Sequence, residues 1–285
     1  MHINKCPSHL FRDSLIITQF SIHLTAIFYF YNIMSQKPTL VFVPGAWHLP
    51  ECWHKIVSAM EAQDFKCVPV ALPTVSSNTE ATFGDDVNAI QDAIRAETTQ
   101  GRNVVVVVHS YGGAVGASAL KGFTAKPKDE ATGRVIGFFM IATGFAVGGV
   151  TFLDALGGKP PPIWDADYEK GLAPLTVDPR ELFYHDLPEE EGKYWVDKIQ
   201  PQSLKAFTTG AEYGYPGWKE VPVWYLATTE DRSHPTEVQK MFTQKARDEG
   251  GDITYREIAS SHSPFLSKPD ETAAILLEAI QAFTA

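Results

Sequence analysis

Short apolar runs alternate with amphipathic segments along most of this chain. Residues 39–43 (TLVFV) read as a strand closed by Pro44-Gly45-Ala46, and residues 51–63 place Trp53, Ile56, Val57 and Met60 on one helical face. Residues 66–70 (KCVPV) predict a second strand, and residues 83–97, with Val87, Ile90 and Ile94 at helical spacing, a second helix. The order repeats over 104–121, where consecutive valines at 104–108 run through His109 and Ser110 into GGAVGASAL. An unbroken apolar run suits a strand buried on both faces of a parallel sheet, and the small residues after it suit a helix packed closely on that sheet. Residues 135–142 (VIGFFMIA) predict the next strand. Strands alternating with helices in this way predict an α/β fold, a mostly parallel sheet with helices on both faces.

The rhythm breaks after this strand. Residues 151–220 carry GGKPPP, scattered aromatic residues and an acidic run at 189–191, with only short helical patterns such as 189–199. That is too long for a connection within a compact sheet, so it predicts an inserted cap or lid subdomain. Strand and helix then return at 221–227 (VPVWYLA), 235–249, 253–258 (ITYREI) and 269–283. The core is therefore expected to comprise residues 34–150 and 221–285, with the cap between them.

Residues 1–33 differ from the rest. The apolar, aromatic stretch 15–31 is interrupted by Gln19, Ser21, His23 and Thr25 and falls short of a membrane span of about 20 residues. A signal peptide, a poor membrane anchor and an upstream extension compete as readings; a small-residue cleavage site of the A-x-A kind is absent before Met34. The extension is favoured, because Met34 opens a polar lead into the first strand. This predicts a cytoplasmic protein, with secretion or membrane anchoring through residues 1–33 as the alternative, and no stable membrane association.

Composition narrows the class. With 285 residues, 44% of them hydrophobic, the chain can bury a large core. The formal net charge of −10 argues against nucleic-acid binding, which needs basic surface to neutralise phosphates. Cys6, Cys52 and Cys67 form neither a CxxC pair nor a metal-binding spacing, so neither a disulfide framework nor a zinc site is expected, and no motif in the chain implies a metal or a cofactor.

Ser110 sits where the valine strand meets the glycine-rich helix. In a G-x-S-x-G elbow, a sharp strand-to-helix turn lifts a serine hydroxyl above the sheet edge and aims a helix N-terminus at it. Gly112 fits that pattern, whereas Val108 stands where its first glycine belongs. Such a nucleophile needs a base and a carboxylate to orient the base. Two late strand ends offer them. TTEDRSHP supplies Glu230, Asp231 and His234, and ASSHSPF supplies His262. Asp231 is the expected acid, with Glu230 as the fallback, and His262 the base, in the chain order serine, acid, histidine of an α/β-hydrolase sheet. The oxyanion that forms on acyl transfer needs N–H donors, expected from Tyr111 and from Ala46 in the turn after the first strand.

VFVPGAWHLPECWHKI, VVVHSYGG, YLATTEDRSHP and ASSHSPFLSKP resemble the α/β-hydrolase superfamily of the AB hydrolase-1 type. Within it they resemble the group that includes plant methylesterases, hydroxynitrile lyases and many fungal and bacterial hydrolases. The resemblance covers residues 38–285. It implies an α/β-hydrolase fold with an eight-stranded sheet and a helical cap after the sixth strand. It implies Ser110, Asp231 and His262 as triad and Ala46 and Tyr111 as oxyanion donors, in agreement with the residue-level reading. Pro44 replaces the histidine common before Gly-Ala, leaving the Ala46 N–H available. The lyases carry a lysine after the catalytic histidine; Ser263 stands there, which favours hydrolysis.

The expected reaction is cleavage of a small-molecule ester or lactone through an acyl-enzyme. Its pocket would lie between elbow and cap, walled by Trp47, His48, Tyr111, Trp164, Tyr184 and Phe265, aromatic residues that suit an apolar substrate portion. A lyase or acyltransferase on the same fold, and a ligand-binding receptor that retains the triad, are the competing readings. A homodimer is compatible with all three.

Overall fold

The computed structural model describes residues 37–126 and 131–285, so the segment 1–33 discussed above lies outside the described residues. Strand β1 (Thr39–Val43) is buried at every position and pairs in parallel with β2 (Cys67–Pro69) on one side and β3 (Val104–His109) on the other. Strands β4 (Val135–Ile141), β5 (Val223–Thr228) and β6 (Ile253–Ile258) continue the sheet in the order β2-β1-β3-β4-β5-β6, every pairing parallel. Six strands are thus present among the described residues where the resemblance implies eight. The described chain already enters the sheet at β1, the strand that leads into Pro44-Gly45-Ala46, and every later strand expected from sequence is accounted for.

Strand order explains where the site falls. The chain passes from β1 outward to β2, then crosses back over β1 to lay down β3 on its other side. The connections leaving β1 and β3 therefore run to opposite faces, which opens a crevice above the C-terminal ends of these two strands. The turn at 44–46 and the elbow at Ser110 stand at that crevice.

Helix α1 (His54–Glu61) follows a short 3₁₀ turn (Pro50–Trp53) and buries Ile56 and Met60 against the C-terminal helix. Helix α2 (Phe83–Thr98) starts on a capping box, Thr82 Oγ1 accepting from the Asp85 N–H while the Asp85 carboxylate accepts from the Thr82 N–H. It packs on α3 (Gly112–Ala119), with helices on both sides of the sheet. Helices α8 (Thr236–Asp248), α9 (Pro264–Ser267) and α10 (Pro269–Thr284) close the fold.

Between β4 and β5, the fourth and fifth strands described, the chain leaves the sheet and forms only short helices: α4 (Phe152–Ala155), α5 (Pro179–Phe183), α6 (Glu189–Asp197) and α7 (Lys205–Thr208). Their apolar faces are completed by Trp164, Phe183, Tyr184, Trp195 and Phe207, all buried. Among the described residues, no helix is long and apolar enough to cross a membrane.

Candidate active site

Ser110 adopts φ +51°, a left-handed conformation that a residue with a Cβ reaches only at a cost of about 1–3 kcal/mol. The surroundings fix it there. Its N–H donates to the Ile141 carbonyl at 3.2 Å, and its own carbonyl accepts from Thr143 Oγ1 at 2.5 Å. Thr143 is held in turn by Tyr225, whose hydroxyl donates to the Thr143 carbonyl at 2.7 Å. Ser110 thus stands between a buried strand and the first turn of α3, partly exposed while His109 and Tyr111 on either side are buried.

The missing elbow glycine is compensated across the strand–helix crossing. A Cβ built on Gly116 would lie 2.5 Å from Val108 Cγ1, so the valine occupies the space that a larger residue on α3 would need. The turn after β1 approaches the elbow as closely as glycine permits: a Cβ on Gly45 would come within 3.1 Å of Ser110 Cβ and of His109 Nδ1. Ala46 follows directly. Neither its N–H nor that of Tyr111 is engaged by a described residue.

Asp231 and His262 are brought together by the ends of β5 and β6. His262 Nδ1 lies 2.7 Å from Asp231 Oδ2, with both side chains buried. A carboxylate only accepts, so Nδ1 carries the proton and Nε2 the lone pair. Burial pushes the Asp231 carboxyl up, but the charge and hydrogen bond of His262, aided by His234, outweigh it and hold the carboxyl down at about 2. Thr228 Oγ1 and the N–H groups of Ser233 and His234 fill its remaining lone pairs. Glu230, the sequence alternative, is exposed, and its backbone rather than its carboxylate is used: its carbonyl meets His185 Nε2 at 2.8 Å.

His262 Nε2 is buried and has no hydrogen-bond partner among the described residues; Ser110 Oγ does not bond to it here. Serine–histidine contacts of this kind are commonly loose without substrate and tighten when the reacting group arrives. His109, next to the serine, links the two loops instead: its Nε2 donates to the His262 carbonyl at 2.9 Å, and the two rings lie 4.5 Å apart. Burial, then the neighbouring His262 and His48, keep His109 well below the usual imidazole range and hence neutral.

The remaining sequence candidates divide. His48 Nδ1 donates to the Ala46 carbonyl at 2.6 Å, and its Nε2 accepts from the Tyr184 hydroxyl at 2.6 Å, a contact between the first βα turn and the inserted segment. Burial lowers the His48 imidazole to about 4. Trp47, at φ +64°, donates its indole N–H to the Ala173 carbonyl. Trp164 packs on Phe207, which also meets Tyr111. Phe265 is fully buried, its ring 4.3 Å from that of Trp53 and 4.9 Å from that of His109. A small pocket is lined by His48, Tyr184, Trp47, Cys52 and Trp195, without Ser110.

Sequence reading did not single out Asp186, whose Oδ2 accepts from the Ser261 N–H at 2.8 Å and ties the inserted segment to the His262 loop. His234, noted only as a neighbour of Asp231, stacks on His262 with centroids 5.2 Å apart and planes at 7°. Asp231, His234 and His262 offer ligand atoms within 4.8 Å of one another. The donor set does not suit an ion: the carboxylate is fully bonded, and parallel imidazoles direct their in-plane lone pairs side by side rather than to one point.

The family model for the alpha/beta hydrolase family matches residues 40–275. "Alpha/beta hydrolase nvfD" of Aspergillus novofumigatus is 30% identical over 238 residues, covering 82% of this chain and 93% of the relative. "Methylesterase 17" of Arabidopsis thaliana is 27% identical over 82% of this chain and 87% of its own length. The crystal structure of the methylesterase MES16 from Arabidopsis superposes with a TM-score of 0.68 at 21% identity, covering 86% of this chain and 99% of that one. The chain belongs to the alpha/beta hydrolase family.

Proposed function

We propose that this protein hydrolyses a small-molecule carboxylic ester or lactone through an acyl-enzyme on Ser110. The observation that carries the reading is the buried His262, with Nδ1 bonded to Asp231 and an unpartnered Nε2, on a loop joined by His109 to a serine held at φ +51°. Relatives called methylesterases support the ester as substrate class.

In this mechanism Nε2 takes the Ser110 proton as Oγ attacks the carbonyl carbon. The carbonyl oxygen becomes an oxyanion and accepts from the N–H groups of Ala46 and Tyr111. The C–O bond to the alcohol breaks, and His262 returns the proton to the departing oxygen. Water, deprotonated by the same Nε2, then releases the acid and restores Ser110. Asp231 fixes the tautomer throughout and steadies the imidazolium.

Replacing Ser110 with alanine and following p-nitrophenyl acetate tests the reading. Turnover is expected to vanish; undiminished turnover in a folded Ser110→Ala protein contradicts it.

A further inference from the structure

Asp86 is a fully buried carboxylate on α2, and none of its hydrogen bonds serves its own helix. Oδ1 accepts from the Thr74 N–H at 3.0 Å, and Oδ2 accepts from Thr74 Oγ1 at 2.6 Å and from the Tyr111 hydroxyl at 2.9 Å. The chain of bonds continues past Thr74. Gln202 Nε2 donates to Thr74 Oγ1 at 2.8 Å, and Gln202 Oε1 accepts from the Trp47 N–H at 3.1 Å. Every side chain in this path is buried.

The two ends of the path are informative. Tyr111 and Trp47 are respectively one oxyanion donor and the residue directly after the other. Trp47 has φ +64°, and three bonds hold it there: Gln202 on its N–H, the Gln200 N–H on its carbonyl at 2.9 Å, and Ala173 on its indole. A strained backbone of this kind persists only where its surroundings over-determine it. Packing of α2 does not call for a carboxylate, since the neighbouring inward positions are Val87, Ile90 and Ile94. Desolvating a carboxylate costs several kcal/mol, so its retention needs a partner set that uses it.

We propose that Asp86 is a positioning residue that, through Thr74 and Gln202 on one side and Tyr111 on the other, sets the separation of the Ala46 and Tyr111 N–H donors. The role rests on the oxyanion assignment above. Both turns hang from one buried acceptor, so neither donor moves without the other. A misplacement of about 1 Å in such donors costs roughly a hundredfold in rate.

The test uses Tyr111→Phe, which removes one oxygen and keeps the ring packing on Phe152 and Phe207, with Gln202→Leu and the double variant. Asp86→Asn is the conservative change at the junction. For each, kcat and KM on p-nitrophenyl acetate and the thermal midpoint are measured beside Ser110→Ala. The expected result is a kcat lower by about tenfold to a hundredfold in each single variant, with KM within about threefold. The double variant should lose no more than about twofold beyond the worse single, because both sever the same path. A merely structural role would lower the midpoint and multiply the losses. Wild-type kcat in folded Tyr111→Phe and Gln202→Leu, or losses that multiply, overturns the positioning role while an inactive Ser110→Ala leaves the ester chemistry standing. Retained turnover in Ser110→Ala overturns both. Should Asp86→Asn fail to fold, Tyr111→Phe carries the test alone by the same criteria.

Discussion

Val108 and Gly116 are a matched pair across the β3–α3 crossing: the valine Cγ1 fills the volume that a Cβ on residue 116 would take, at 2.5 Å. Alanine for glycine inside a helix normally adds about 0.5–1 kcal/mol of stability. Here the clash reverses the sign. Gly116→Ala should destabilise by roughly 1–3 kcal/mol in urea unfolding, and Val108→Ala in the same chain should recover most of the loss. A stabilised single variant would show that the crossing has room to spare.

The acid assignment separates two adjacent residues. Asp231→Asn removes the acceptor that fixes the His262 tautomer and should lower kcat on the order of ten-thousand-fold. Glu230→Gln touches an exposed side chain and should leave kcat within about twofold. Steady-state kinetics on both variants checks this, and equal losses would mean that the carboxylates share the role.

His48 gives the fold a pH dependence of known sign. Its pKa is about 4 in the folded protein against 6.5 in the unfolded chain, so the unfolded chain binds more protons between those values. Stability from this group is fully present above about pH 6.5 and declines as pH falls toward 4, by roughly 3 kcal/mol at full titration. Unfolding free energy measured from pH 7 to 4 should fall less steeply in His48→Gln than in the wild type. Parallel curves would contradict the neutral, doubly bonded imidazole.

Legibility from sequence followed the range of the interactions. Helix α2 is readable within a residue, because Val87, Ile90 and Ile94 repeat at the helical period. Strands β1, β3 and β6 were equally plain, and so was the meeting of Asp231 with His262, since each lies just past a strand end in an order that the sheet imposes. In the inserted segment the pattern at 189–199 marks α6 (Glu189–Asp197), whereas the helices of four or five residues there are too short to show a period. Asp86, Thr74 and Gln202 gave only a faint signal, a carboxylate on the apolar stripe of α2. Their junction spans 128 positions between Thr74 and Gln202 and exists only once the inserted segment is seated.

The central claim is that Ser110 is the nucleophile, and a fluorophosphonate reports it directly. Oγ attack on phosphorus expels fluoride and leaves a phosphonyl adduct of fixed mass. Peptide mapping after labelling should place that mass on the peptide containing Ser110, with none on a folded Ser110→Ala protein. A label on another residue, or an unlabelled wild type that still turns over ester, would contradict the account.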